Sequence, residues 1–228
     1  MQAGFNGSNV LTASRTFRAV NIFRHLKTEM KKVKLYTSKL PASWNDERPH
    51  RKVEIDLSSP GLAVFELEKL LFTGRVIISH ADEVWPRLYI GDQQSAENVS
   101  DLSTRRFTHI LSAAHSDRQG QPQIYEGLNI TYMGIEARDA YDYDMSINFQ
   151  AAADFIHRAL SRGGKVLVHC HVGVSRSATL VLAYLMLKQN LTLVEAVCAV
   201  KDKRGVIPNR GFLRQLIKLD GQLFGSHR

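Results

Sequence analysis

The sequence predicts an α/β fold with a central, largely parallel sheet flanked by helices, preceded by a basic N-terminal extension. Two observations carry this prediction. Over residues 58–225, short apolar stretches of strand length alternate with longer stretches in which apolar residues recur every three or four positions, and strands that alternate with helices form parallel sheets. Residues 1–57 are polar and basic and contain no convincing strand, so we predict a disordered or weakly helical extension there and a short tail over residues 226–228.

The elements of the folded part follow one another along the chain. Pro60 suits the first turn of a helix that runs through "GLAVFELEKLLF" and that Gly74 ends. The remaining predicted elements are a strand or hairpin in "DEVWPRLYIGD", a helical segment in "SAENVSDLSTRRF", strands in "THILSAA" and "LNITYMGIEA", a helix in "NFQAAADFIHRALSRGG", the strand "KVLVH", and helices in "RSATLVLAYLMLKQN", "TLVEAVCAVKDKRG" and "RGFLRQLIKLDGQLFG".

Composition sets limits on the class of protein. The chain has 228 residues, of which 44% are hydrophobic, enough to bury a proper core. Its net charge of +8 belongs to the extension, because residues 1–53 contain 11 Lys and Arg against 3 Asp and Glu, whereas the remainder is balanced. We therefore expect no nucleic-acid partner for the folded domain.

The two cysteines, Cys170 and Cys198, are too few for a disulfide framework and indicate a reducing compartment. We expect a cytoplasmic protein, with the nucleus as an alternative; a mitochondrial transit peptide in the basic first 28 residues is not favoured. No apolar stretch is long enough to span a membrane, and the start lacks the apolar core of a secretory signal. Cys198 lies among helical apolar positions and is interpreted as a small buried core residue.

The extension contains a basic, weakly amphipathic segment. Its apolar residues recur every three or four positions between Lys and Arg, namely Phe17, Val20, Phe23, Leu26, Met30 and Val33. Such a segment could contact a partner or an anionic membrane surface. A weakly helical, solvated tail explains the same composition equally well.

A short polar loop, "HCHVGVSRS", joins the strand "KVLVH" to a strongly apolar helix. In α/β folds, ligands bind where a central strand ends and a helix begins, and the free N–H groups there attract anions. Cys170 starts this loop, so the same N–H groups favour its nucleophilic thiolate. The planar guanidinium of Arg176 matches two oxygens of a tetrahedral oxyanion, and Gly173 permits a backbone conformation that a side chain would resist. The sequence therefore predicts a phosphate site with a nucleophile at its floor.

The loop carries the H-C-x5-R-S signature of cysteine-dependent protein phosphatases. Together with "DEVWPRLYIGD", "AADFIHRAL" and "PNRGFLRQL", it resembles the small atypical dual-specificity phosphatases over about residues 83–223. The resemblance implies a hydrolase that dephosphorylates phosphotyrosine and phosphoserine or phosphothreonine in proteins through a phosphocysteine intermediate. It also implies that no cofactor and no metal is needed.

The resemblance further implies roles for individual residues. Cys170 would be the nucleophile, and Arg176 would bind the phosphate and stabilise the transition state. Ser177 would hydrogen-bond the sulfur and help it leave, while His169 would support the loop without touching substrate. The main-chain N–H groups that would hold the phosphate oxygens are those of His171, Val172, Gly173, Val174, Ser175 and Arg176.

The proton donor for the leaving group comes from "EARDAYDYDMS", which contains Asp139, Asp142 and Asp144. Spacing alone does not choose among them. In the family the general acid follows the strand shortly, a position that implies Asp139 here, acting as acid in the first step and as base in the second. Asp142 and Asp144 are interpreted as solvated loop carboxylates or as a cap for the following helix.

Alternative functions remain open at this point. A metal site at His169, Cys170 and His171 is not favoured, because adjacent strand residues point to opposite faces. A phosphatase for lipids or nucleotides is a second alternative, although the loop interior lacks the lysines that phosphoinositide phosphatases carry. A third is a catalytically weak module that binds phosphoproteins or a kinase.

The extension also contains "KKVKL", residues 31–35, which loosely resembles the segments by which some relatives dock mitogen-activated protein kinases.

Overall fold

The structure is a computed structural model that describes residue 55 and the ranges 60–75, 78–115 and 122–225. The amphipathic segment, the "KKVKL" segment and the tail over residues 226–228 lie outside the described residues, as does nearly all of the predicted extension. Among the described residues, no helix combines the length and the apolar character needed to cross a membrane.

Five strands form one sheet in the order β1-β2-β5-β3-β4. The strands are β1 (Ala81–Trp85), β2 (Leu88–Gly91), β3 (His109–Ser112), β4 (Thr131–Gly134) and β5 (Val166–His169). β1 and β2 form an antiparallel hairpin, whereas the pairs β2-β5, β5-β3 and β3-β4 are parallel. The prediction of a largely parallel sheet is therefore confirmed, with the hairpin supplying the one antiparallel edge strand of the described sheet.

Helices cover both faces of the sheet. They are α1 (Pro60–Phe72), α2 (Gln93–Glu97), α3 (Val99–Thr104), α4 (Phe149–Ser161), α5 (Arg176–Gln189), α6 (Leu193–Lys201) and α7 (Arg210–Phe224), with short 3-10 helices at Pro122–Tyr125 and Ser146–Asn148. The single helical segment predicted in "SAENVSDLSTRRF" is two short helices. Asn98 ends the first helix and caps the second, because its side chain accepts a hydrogen bond from the Asp101 N–H.

Side chains of β5 alternate between two cores. Val166 and Val168 pack in the main core with α1, α4, α5, α6 and α7, whereas Leu167 packs in a smaller core on the other face. All four residues of β5 are buried. The alternation places the Cys170 side chain toward the main core and His169 toward the smaller one.

α5 is the central helix of the main core. Every residue from Arg176 to Met186 is buried, and the helix packs against α4, α6, α7 and β5. Each fully buried Leu there contributes roughly 2 kcal/mol to folding. The loop between β5 and α5 is thus held at both ends by deeply buried elements.

α1 packs against α6 and α7 within the main core, through a face that includes Ala63, Leu67 and Leu71. Gly74 follows the helix as predicted. A Cβ atom at Gly74 would lie 2.5 Å from the Lys201 carbonyl oxygen, so the chain passes too close to α6 there for a side chain.

Candidate active site

Cys170 lies at the floor of the β5–α5 loop and is only 2% exposed. The Gly173 N–H donates a hydrogen bond to its sulfur at 3.2 Å, and the Ser177 hydroxyl lies 3.3 Å from the same sulfur. Ser177 is itself fully buried in the first turn of α5. The buried sulfur thus has two polar contacts, one of them a peptide N–H, which can only donate.

Gly173 has a φ of +72°, in the left-handed region that favours glycine. A Cβ atom there would lie 2.4 Å from the Gly91 carbonyl oxygen and 2.6 Å from Arg204 Nη2. The position therefore excludes a side chain both by conformation and by space, which confirms the backbone requirement predicted from the sequence. The tight turn brings the Gly173 N–H back over the sulfur of Cys170.

Arg176 is the first residue of α5 and is 8% exposed. Its Nη1 donates to the carbonyl oxygens of Ala137 at 3.0 Å and Ala113 at 3.4 Å, which lie beyond the ends of β4 and β3. Its Nε makes no hydrogen bond to the described residues and lies 3.9 Å from Asp139 Oδ2. The guanidinium is thus fixed by one edge and leaves Nε available to a bound oxyanion.

Asp139 lies beside the C-terminal end of the same loop, with its side chain 39% exposed. One of its carboxylate oxygens accepts hydrogen bonds from the Ser175 hydroxyl at 2.7 Å and from Asn209 Nδ2 at 2.9 Å. These contacts hold a carboxylate at the rim of the loop, close to solvent. This is the placement that a proton donor for a bound phosphate ester needs.

The other two carboxylates of the segment differ from Asp139. Asp142 is exposed. Asp144 accepts hydrogen bonds from the N–H and the hydroxyl of Ser146, at the start of a short 3-10 helix. Asp144 therefore makes a local contact with Ser146, but the cap residue of that 3-10 helix is Met145 and that of α4 is Asn148, so the capping role suggested for Asp144 is not found. Of the three carboxylates, only Asp139 makes a hydrogen bond to a loop residue in the described structure.

His169 is buried on the opposite face of the sheet from Cys170, where it lines a cavity of about 350 Å³ together with Ser112 and Tyr132. Burial lowers the pKa of His169 to about 4, although the Cys170 backbone favours the protonated ring. The imidazole is thus neutral at pH 7. His171 is exposed and its Nδ1 lies 2.6 Å from Gln93 Oε1, so the two histidine rings do not converge with Cys170 as metal ligands would.

Three residues around the loop, Arg204, Asn209 and Gln93, were not singled out by sequence reasoning. Arg204 is fully buried and contacts the loop carbonyls of Val172 and Gly173. Asn209 caps α7 and also donates to Asp139. Asn209 lies in "PNRGFLRQL", where an Asn before a helical pattern signals a cap, but no local signal marks Arg204 or Gln93.

Comparison with known proteins agrees with this geometry. Residues 88–222 match the family model described as dual specificity phosphatase, catalytic domain. The chain belongs to the dual specificity phosphatase family. Among curated relatives, dual specificity protein phosphatase 26 of Homo sapiens is 65% identical over 165 residues, which cover 72% of this chain and 78% of that protein. The Bos taurus protein of the same name is 64% identical over the same coverage. This family member is thus an enzyme of the dual-specificity protein phosphatase class, and its substrates are phosphoproteins.

Solved structures of dual specificity phosphatases are similar to this one. Human DUSP28 has a TM-score of 0.59 and 26% identity, covering 64% of this chain and 97% of that one. DUSP15 has a TM-score of 0.54 and 32% identity, covering 65% and 97%. A mouse putative dual specificity phosphatase, complexed with zinc tungstate, has a TM-score of 0.59 and 26% identity, covering 67% and 93%.

The motifs suggest dual specificity protein phosphatase 13 as the nearest family member, and this finer assignment is wrong: the curated relatives at 64–65% identity are named dual specificity protein phosphatase 26. The error has a plain cause. The loop and its flanking strand and helix are set by shared chemistry, so they identify the family without separating its members.

Proposed function

We propose that this phosphatase hydrolyses phosphotyrosine and phosphoserine or phosphothreonine through a phosphocysteine intermediate on Cys170. The observation that carries the proposal is the arrangement at one loop of a buried sulfur, a peptide N–H that donates to it and an arginine held by carbonyl oxygens. These groups meet the two needs of phosphoryl transfer, a nucleophile and a site for negative charge.

In the first step the Cys170 thiolate attacks phosphorus, so that an S–P bond forms as the P–O bond to the substrate breaks. The equatorial oxygens are held by the loop N–H groups, from His171 to Arg176, and by the guanidinium of Arg176. Asp139, at the rim, gives its proton to the departing alkoxide or phenoxide oxygen. The products of this step are phosphocysteine and the free hydroxyl of the substrate protein.

In the second step a water molecule attacks phosphorus and the S–P bond breaks. Asp139, now a carboxylate, takes the proton from the water, and inorganic phosphate forms. The Ser177 hydroxyl, 3.3 Å from the sulfur, stabilises the departing thiolate by donating a hydrogen bond to it. His169 does not reach the reacting atoms; its neutral, buried ring packs beneath the strand end and supports the loop from the opposite face.

The exposure of the loop supports activity on short as well as long phosphorylated side chains. Val172, in the middle of the loop, is 56% exposed although Cys170 is 2% exposed. The phosphate site therefore lies close to the protein surface, within reach of phosphoserine and phosphothreonine as well as phosphotyrosine. A similar structure is a complex with zinc tungstate, whose anion is a tetrahedral oxyanion like phosphate.

We further propose the cytoplasm as the site of this activity, since both cysteines, Cys170 and Cys198, are free thiols.

Docking of a mitogen-activated protein kinase on "KKVKL" is a separate proposal, and residues 31–35 lie outside the described residues. Deleting residues 1–56 tests it: kinase binding should be lost while aryl phosphate hydrolysis continues, and unchanged binding would exclude this segment as the docking site. The same deletion tests the proposed contact of the extension with anionic vesicles.

The decisive experiment for the catalytic proposal compares the parent enzyme with Cys170→Ser in the presence of a chelator, on an aryl phosphate and on phosphopeptides of both types. The parent should retain its full rate in chelator, and the variant should be inactive. Equal rates of the two proteins, or activity that returns only when a metal is added, would overturn the proposal.

A further inference from the structure

Arg204 is a buried arginine that lies between α6 and α7, with only 1% of its side chain exposed. Burying a guanidinium is costly unless its charge is paired and its donors are used. Its Nε donates to the Gly173 carbonyl oxygen at 2.8 Å, and its Nη2 donates to the Val172 carbonyl oxygen at 3.4 Å. Its Nη1 donates to the Ser79 carbonyl oxygen at 2.7 Å and to Asp82 Oδ2 at 2.6 Å. Two of these acceptors are peptide carbonyls of the phosphate-binding loop.

The orientation of a carbonyl fixes the orientation of the N–H group in the same peptide, because a trans peptide is planar and its C=O and N–H point in opposite directions. The Val172 carbonyl faces Arg204, and the Gly173 N–H of that peptide points to the opposite side, where it donates to the sulfur of Cys170. The Gly173 carbonyl also faces Arg204, so the Val174 N–H is turned the same way.

Arg204 is in turn held by the β1–β2 hairpin. Asp82, on β1, forms an ion pair with Arg204 and also accepts hydrogen bonds from the N–H and the hydroxyl of Ser79. Burial lowers the pKa of the Arg204 guanidinium, and the carboxylate of Asp82 opposes that shift. An arginine remains charged throughout the physiological range. A chain of contacts therefore runs from the hairpin through Arg204 to two peptides of the loop.

We propose that Arg204, held by Asp82, is a positioning residue that turns the Gly173 and Val174 N–H groups toward the sulfur and the bound phosphate. Arg204 acts indirectly, by orienting the peptide groups of the loop, whereas Arg176 binds the phosphate directly. Its effect is to favour both the thiolate of Cys170 and the binding of a tetrahedral oxyanion. The inference rests on the proposed role of Cys170 as nucleophile.

The test measures the rate of Cys170 alkylation by iodoacetamide as a function of pH, and inhibition by orthovanadate, in the full chain carrying Cys198→Ser so that one thiol reports. Arg204→Met should raise the midpoint of the alkylation profile by about one pH unit, the effect of losing one well-oriented hydrogen bond to a charged group. Vanadate binding should weaken about tenfold. Arg204→Lys, which keeps the charge but not the fork of donors, and Asp82→Asn should shift both readouts in the same direction by less.

Arg158→Met, which removes an exposed arginine of α4, is the matched control and should leave both readouts unchanged. A folded Arg204→Met protein with the parent's midpoint and vanadate affinity would overturn the inference, even if its thermal midpoint had fallen. If Arg204→Met does not fold, Arg204→Lys and Asp82→Asn decide in the same way. A parent enzyme that keeps its full rate on an aryl phosphate after Cys170→Ser would overturn the proposed function itself.

Discussion

Two thiols of the same domain lie in opposite surroundings. Cys198, on α6, packs against the main core, and burial raises the pKa of its thiol to about 11; Asp202 and Glu195 act in the same direction and Lys201 opposes them. Cys170 is more deeply buried, yet its sulfur is met by the Gly173 N–H and the Ser177 hydroxyl. The two thiols are both withdrawn from solvent, and they differ in the polar groups that meet the sulfur.

Replacing each cysteine with serine should give the largest difference in kcat between the two positions. Cys170→Ser should lower kcat for an aryl phosphate at least about a thousandfold, because the nucleophile is lost. Cys198→Ser should leave kcat within about twofold of the parent, since Cys198 lies on α6 and not in the phosphate-binding loop. Steady-state kinetics of the two purified variants checks this, and a large loss in Cys198→Ser would contradict the comparison.

Arg176 supplies the planar pair of N–H donors that we propose for phosphate binding next to Cys170, and Cys198 lies outside that loop. Arg176→Lys keeps the charge but loses the planar pair of donors, so we expect kcat/KM to fall about a hundredfold. Vanadate affinity should fall in parallel, because the same donors bind the ground-state oxyanion. A variant with full vanadate affinity and full activity would show that the guanidinium geometry is not needed.

We propose Asp139, at the rim of the Cys170 loop, as the proton donor to the leaving group. Asp139→Asn should slow turnover about a hundredfold for substrates with poor leaving groups and much less for activated aryl phosphates, which leave without a proton. The matched control is Asp142→Asn, an exposed carboxylate three residues away. If Asp142→Asn showed the leaving-group dependence and Asp139→Asn did not, the assignment of the acid would be wrong.

Ser177 tests the second polar contact of the Cys170 sulfur. Ser177→Ala removes a hydroxyl 3.3 Å from that sulfur, and we expect the breakdown of the phosphocysteine to slow about tenfold. The first step should change little, so a burst of released phenol should become visible in stopped-flow traces. Equal slowing of both steps would place the hydroxyl's effect elsewhere.

Burial of His169 should also make the stability of the fold depend on pH. The pKa of His169 is lowered by burial to about 4, below the ordinary value of 6.5. As the pH falls from 6.5 to 4, the unfolded chain binds a proton that the folded protein does not, so stability is lost with falling pH by at most about 1.4 kcal/mol per unit. Urea unfolding at pH 7 and pH 5 should show this loss reduced in His169→Gln and unchanged in His157→Gln, whose histidine is exposed. An equal pH dependence in His169→Gln would contradict the assignment.

The fold and the floor of the site could be predicted because their signals are local. Cys170, Gly173 and Arg176 lie within seven residues of one loop, and the apolar patterns on either side specify a strand and a helix. Periodicity did not predict the break between α2 and α3, because it depends on one side chain, Asn98, that caps the second helix.

The rim and the back of the loop depend on contacts between distant segments. Asp139 could not be chosen by spacing, since what separates it from its neighbours is its contact with Ser175 and Asn209. Arg204 lies in "KDKRG", which has the composition of a solvated basic turn, and only the folded chain shows that it is enclosed beneath the loop. A sequence pattern predicts a helix or a strand, but it does not predict which distant residues a long side chain such as that of Arg204 will contact.

The measurement that tests the central claim most directly is rapid quenching of the enzyme with a ³²P-labelled substrate, followed by mapping of the labelled peptide. We predict that label accumulates during turnover on the peptide that contains Cys170, that Ser177→Ala raises its amount, and that Cys170→Ser carries none. Label on another residue, or turnover by an enzyme that never carries label, would contradict the account.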